Sequence, residues 1–247
     1  MVKVQEELKE YFYEYYSYNK QFDIPKNINV MLLEEDDFYN AVKNKSREVF
    51  GIKHPDLSDS LNGLIIVDSK NKYRSTYNIY ILKKYEEVYP YIVNILFHEL
   101  SHAHTLPDIE IIDLKNFDEE NNGHSLLGYN FWREFIANYL GNKTFINTCG
   151  CINYIDSKSS LIKLTIDKIA ELKEKESSID ELISFIVLTE NDILNDVEFL
   201  ISKKDFESFK KIINLCKDLI KDNDENYKIN IEDYDKLGSL IYDIKNS

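Results

Sequence analysis

A helix-rich α+β fold, with a short mixed or antiparallel sheet ahead of a run of helices, follows from three observations. Glycine and proline are scarce, at 7 and 4 of 247 residues, so few positions force a helix to stop. Short segments before residue 83 carry the alternation and β-branched content of strands. Beyond residue 125 the apolar residues recur instead at helical spacing.

Taken in order, residues 3 to 20 predict a helix, with Val4, Leu8, Tyr11, Phe12, Tyr15 and Tyr16 on one face. Its tyrosine cluster, Tyr11 to Tyr18, reads as a helix laid against a sheet with extra rings at the rim, with a partner-binding surface as the alternative. Ile24-Pro25 ends it, and Ile28 to Leu33 alternates as a strand. Glu35-Asp36-Asp37 opens a helix that runs to Phe50 and stops at Gly51. His54 then lies in a turn and is read as a loop histidine. Leu64 to Val67 forms a short strand, residues 68 to 71 turn, and Tyr77 to Leu82 returns as a strand. This last strand is expected to be a free edge for an extended peptide.

An apolar helix follows, starting between Glu87 and Tyr89 because Pro90 is tolerated only in a first turn. It ends near His104 or Thr105, before Pro107. Ile92, Ile95, Leu96, Leu100 and Ala103, with Tyr91, give it a buried surface. Residues 108 to 122 are acidic and loop-like. A second apolar helix is expected from Ser125 to Leu140, closed by Gly141. Cys149 and Cys151 read as ordinary packing at its end, and Cys216 as core. Four amphipathic helices are expected over residues 157 to 176, 180 to 202, 205 to 221 and 231 to 244. The acidic loop at 222 to 226 lacks the spacing and glycine of a calcium-binding EF-hand. The chain is therefore divided into a unit at 1–148 and a helical C-terminal region at 149–247, which would cover the first unit or present a partner surface.

A net charge of −14 argues against nucleic acid, whose phosphates it would repel, and against an anionic membrane surface. No apolar run approaches the ~20 residues of a membrane span. The tyrosine-rich, acidic N-terminus has no apolar core of a signal peptide, and three cysteines make no paired framework. Cytoplasmic residence is the expectation.

The first apolar helix contains His98-Glu99-Leu100-Ser101-His102. Four residues rotate a helix by about 400°, so both imidazoles share a face one turn apart and can bind one Zn²⁺. Glu99 stands beside them to take a proton from a metal-bound water. Such a site needs a further protein ligand while leaving a position for water. A histidine six residues past His102 is absent, since that position is Asp108. His104 lies about 200° round the helix from His102. A carboxylate from the following helix remains, and Glu134 is the best candidate, because Leu127, Phe131, Glu134 and Asn138 fall on one stripe. Ala137, one turn on, is small enough for close helix approach. Asp113, Asp118 and His124 are the rival ligands, and pairing with Arg133 or Lys143 is the competing role for Glu134. His124, Tyr129 and Tyr139 are candidates to stabilise an oxyanion.

His98-Glu99-x-x-His102 followed by Glu134-x-x-Ala137 resembles the gluzincin metallopeptidases. With Asn138 it is similar to the ImmA/IrrE-like group, intracellular peptidases that cut phage-type repressors. The resemblance covers roughly residues 25 to 141. It departs at Ser101, where glycine is frequent, and in the long acidic loop between the ligand helices. It implies a zincin-like catalytic unit in which one zinc is held by His98, His102 and Glu134. It further implies hydrolysis of a peptide bond in a specific intracellular protein, with Glu99 as general base. A zincin-fold module that recognises a regulatory protein without cutting it is the alternative. A structural zinc protein using Cys149 and Cys151 is a weaker one.

Overall fold

The computed structural model describes residues 1–50, 62–68, 76–83, 89–105, 124–150, 158–174, 179–189, 192–223 and 225–247. The turn carrying His54, the turn at 69–71, the acidic loop with Asp113 and Asp118, and Cys151 lie outside these. The fold is helix-rich α+β with one small mixed sheet. Two compact units are formed, one by Met1–His104 with Leu140–Cys151 and one by Thr105–Tyr139 with Ile152–Ser247.

The first unit holds the strands β1 (Val2–Val4), β2 (Ile28–Leu33), β3 (Gly63–Asp68) and β4 (Thr76–Leu82), in the order β1-β2-β4-β3. β1, β2 and β4 run parallel, and β3 is antiparallel to β4. β1 escapes the sequence reading because three residues are too few to register a period. β4 is therefore an interior strand, bonded on both sides, and the expected free edge passes to β3. Leu82 N–H donates to Asn62 C=O at 2.8 Å, so Asn62, Leu64 and Ile66 turn their backbone groups toward β4. Gly63, Ile65 and Val67 turn theirs away, and among the described residues no strand pairs with that side.

Strand alternation sorts the two faces of the sheet. Met31 and Leu33 join Phe38 and Val42 of α2 (Glu35–Phe50) in a core with Ile66, Tyr80 and Leu82. Ile28, Val30 and Leu32 are buried on the opposite side. The helix α1 (Glu6–Tyr18) meets α3 (Tyr89–Thr105), with Tyr15 and Phe97 rings 5.8 Å apart. Leu8, Phe12, Tyr15 and Tyr16 are buried, whereas Tyr13 and Tyr18 are exposed, so the helical face is the predicted one without Tyr11 and without Val4, which belongs to β1. Pro90 occupies the first turn of α3. Tyr91 is exposed and accepts from Asn62 Nδ2 at 3.1 Å, which removes it from the buried surface.

The helix α4 (Ser125–Cys149) continues past Gly141, where the sequence predicts a stop. Glycine only permits termination; here the helix is retained because packing needs a residue without a side chain. Its later turns carry Thr144, whose hydroxyl accepts from Asn19 Nδ2 at 2.8 Å, and Asn147, whose carbonyl accepts from Tyr18. Cys149 is exposed rather than packed, and Cys216 is buried.

The second unit joins the earlier turns of α4 to α5 (Lys158–Glu174), α6 (Asp180–Thr189), α7 (Ile193–Val197), α8 (Lys203–Asp222) and α9 (Ile231–Lys245). The single helix expected over 180–202 is two. Thr189 bonds back to the Phe185 carbonyl, and Asp192 stands at the N-cap position of α7 without a side-chain cap bond; both are residue types that favour helix ends. Ser202 and Asn230 cap α8 and α9 through bonds from Asp205 N–H and Asp233 N–H. α4 and α9 cross at Gly128 and Gly238 in backbone contact. Trp132 donates its indole N–H to Tyr227 C=O at 3.0 Å. Among the described residues no helix is long and apolar enough to cross a membrane.

Candidate metal centre

α3 fixes the two imidazoles by burying the rest of its turn. Leu96, Phe97 and Leu100 are fully buried around His98 and His102. The rings meet edge to face, with centroids 4.6 Å apart and their Nε2 atoms 3.0 Å apart. Two imidazole nitrogens that close cannot both carry protons. Either one N–H donates to the other's lone pair, or both lone pairs converge on a cation.

Ser101, between the histidines, is fully buried. Its hydroxyl donates to the Phe97 carbonyl at 2.7 Å and bonds the Tyr15 hydroxyl at 2.9 Å. The departure from glycine at this position thus supplies a tie between α3 and α1. His104 is held apart from the pair, as its place on the helix requires. It stacks on Phe22 at 4.5 Å and bonds the Tyr16 hydroxyl at 2.9 Å. Burial lowers its pKa to about 4 against the opposing charge of Asp23, and burial raises that of Tyr16.

α4 reaches α3 at Gly141. A Cβ there would lie 3.0 Å from His98 N and 3.2 Å from His98 Cα, so a larger residue would crowd the backbone of His98. The sequence places the close approach at Ala137, which is buried; the close contact with His98 is made one turn later, at Gly141. Glu134 lies seven residues before Gly141, two turns along the same helix and on the same face. His98, His102 and Glu134 form a group that could hold a metal ion, with one ligand atom from each within 4.8 Å of the others. Glu134 also takes the competing role expected of it. Arg133 donates to its Oε1 from Nη2 at 2.9 Å and from Nε at 3.2 Å. Burial opposes the Arg133 charge, but Glu134 and the Tyr129 hydroxyl outweigh it and hold the guanidinium pKa above its ordinary value.

The rival His124 sits at the start of α4, stacked on Tyr242 at 4.3 Å, with its backbone N–H bonded to Asp235. It is not among the residues brought together. Of the other oxyanion candidates, Tyr129 packs edge to face on Tyr234 and Tyr139 stacks on Phe135. Burial raises the pKa of Tyr139.

Glu99 is 6% exposed and lies beside the first residue of β3. A Cβ on Gly63 would come within 2.9 Å of Glu99 Oε1. Sequence reasoning missed Gly63, since Asn62-Gly63 reads as a turn before a strand. No family model matches the chain, and neither do curated proteins or solved structures.

Proposed function

We propose that the chain is a zinc-dependent metallopeptidase with a zincin-like catalytic unit, cutting a peptide bond in a specific protein substrate. The observation that carries the reading is the convergence of His98, His102 and Glu134 ligand atoms within 4.8 Å, with the buried carboxylate of Glu99 next to His98 in the chain. Two His and one Glu leaving a fourth position open is the donor set of catalytic rather than structural zinc. The Nε2 separation of 3.0 Å compares with about 3.3 Å for two nitrogens each about 2.05 Å from a tetrahedral zinc. Arg133 donates both bonds to Oε1 of Glu134, and a carboxylate offers about four lone-pair sites, so ion pair and ligation are compatible.

When bound, zinc would polarise a water and the scissile carbonyl. Glu99 takes the proton of the attacking water and delivers it to the departing amine. An extended substrate pairs with the outward N–H and C=O groups of Gly63, Ile65 and Val67 on β3. Arg133 orients the Glu134 carboxylate as the outer partner that such ligands commonly have.

The test begins with elemental analysis after zinc reconstitution, where about one equivalent per chain is expected from a single three-ligand site. Glu134→Ala should weaken binding while His124→Ala leaves it intact. Glu99→Gln should retain zinc and fold while lowering hydrolysis at least 10²–10⁴-fold, roughly the reach of general acid–base catalysis. Substrates are sought by comparing the proteome of cells carrying the wild type and Glu99→Gln. Absence of zinc after reconstitution, or identical proteomes and partners for the two chains, would overturn the proposal.

A further inference from the structure

Gly63 is not required by its backbone. Among the described glycines only Gly150 has a positive φ, and a glycine opening a strand gives up packing and adds entropy loss. What the position requires is the absence of a side chain. A Cβ on Gly63 would stand 2.5 Å from Ile95 Cγ2, 2.9 Å from Glu99 Oε1 and 3.2 Å from Glu99 Cγ. Ile95 and Glu99 lie one turn apart on α3, presenting the same face to β3. The strand cannot swing away, because Gly63 is in register with Ile81 and Asn62 C=O is bonded to Leu82 N–H.

We infer that Gly63 is a positioning residue for Glu99: its empty side-chain volume is where the carboxylate sits. The inference rests on the reading of Glu99 as the proton-transferring group, and it adds a residue that no motif contains. Its physical consequence is selective. The atoms that would meet a new Cβ are side-chain atoms on α3, not backbone. Alanine therefore displaces the carboxylate and the Ile95 methyl group while the sheet stays paired. A displacement approaching 1 Å at a reacting group can cost about 10²-fold.

The experiment compares Gly63→Ala with the wild type in the full chain. In the metal-free protein, the ¹³C carboxylate resonance of Glu99, assigned by its loss in Glu99→Gln, should shift. Zinc affinity, measured by chelator competition, should stay within about twofold, since the variant leaves all three ligands in place. Acetohydroxamate, a zinc-binding probe that yields a proton to a neighbouring base, should bind the zinc-loaded variant at least about tenfold more weakly. If Gly63→Ala does not fold, Gly63→Ala/Ile95→Ala removes the tighter clash and keeps the one with Glu99, so the same shifts must appear in it. An unchanged Glu99 resonance in the folded variant overturns the inference, as does unfolding of both variants. Should the wild type bind no zinc, the peptidase reading falls, and the metal-free resonance still decides the role of Gly63.

Discussion

Alanine at Gly128 would place a methyl carbon 1.7 Å from the Tyr234 carbonyl oxygen and 2.7 Å from its carbon. Carbon–oxygen contacts normally begin near 3.3 Å, so α4 and α9 must part by roughly 1.5 Å at their crossing. Two terms oppose each other. Alanine favours the helix over glycine by about 0.8–1.0 kcal/mol. Overpacking costs typically about 1–3 kcal/mol and more where backbone must move. Here every opposing atom is backbone and cannot rotate away, so the loss dominates, at about 2 kcal/mol or more net. Gly238→Ala meets the same crossing from the other side, 1.8 Å from the His124 carbonyl oxygen. Trp132 is the only tryptophan and lies one turn beyond Gly128, buried, with its indole bonded to Tyr227. Its fluorescence during urea denaturation therefore reports on this unit. Both single variants should lower the midpoint with little change in slope. The double variant should lose less than the sum, since one parting of the helices accommodates both methyl groups. A midpoint equal to or above wild type in both alanine variants would show that the helices do not cross in backbone contact.

Tyr15→Phe removes the hydroxyl bonded to Ser101 and should cost about 1 kcal/mol, as one hydrogen bond does, read by far-ultraviolet circular dichroism in urea, because Trp132 belongs to the other unit. Asp205 supplies a pH dependence: burial would raise its carboxyl pKa, but bonds from Lys173, Ser247 and Ser202 outweigh that and lower it below 3.8. A depressed carboxylate pKa stabilises the fold above the unfolded value and loses that contribution as pH falls through the folded one. Stability should thus drop below about pH 4, and Asp205→Asn should flatten that limb in denaturation series at pH 3 and 6. Ending the chain at residue 157 removes Tyr227, Tyr234 and Gly238, which meet Trp132 and Gly128 of α4. The truncated chain should lose protected tryptophan emission and zinc affinity together. An intact site in a folded truncation would separate the C-terminal helices from it.

Apart from β1, the strand and helix segments described before residue 105 were legible because each had a period to read. Ile28 to Leu33 buries every second residue, and Pro90 pins the start of α3. The His98/His102 pair was legible for the same reason, since a four-residue spacing fixes geometry within one helix. Glu134 was reachable through the stripe it shares with Phe131. What remained hidden depends on contacts between distant segments. Nothing local distinguishes β4 from an edge strand, because edges are set by which strands pair. Nothing local says that Ser101 is tied to Tyr15, or that Asn138 bonds Asp180 at 2.6 Å. The roles of Gly63, Gly128, Gly141 and Gly238 were hidden in the same way, each being defined by the neighbour that fills the missing side chain's place.

Gly141 is the glycine whose neighbour is His98, a proposed ligand, and it separates metal affinity from stability. Its Cβ would lie 3.0 Å from His98 N, 3.2 Å from His98 Cα and 3.4 Å from Phe97 C. These distances fall short of ordinary contact by only a few tenths of an ångström, unlike those at Gly128. The helix-propensity gain of about 0.8–1.0 kcal/mol is therefore comparable with the packing loss, about 1 kcal/mol at the low end of overpacking. Gly141→Ala should leave the denaturation midpoint nearly unchanged. The shift is nonetheless taken up where α4 meets His98, two turns from Glu134 on a stiff helix. Metal sites tolerate only about 0.5 Å of ligand misplacement, so zinc affinity by chelator competition should fall about tenfold, in the range seen for residues that orient ligands. Wild-type zinc affinity in a folded Gly141→Ala chain would mean that the contact with α3 does not set the reach of Glu134. Loss of both affinity and fold would place Gly141 with Gly128 as a residue of the core.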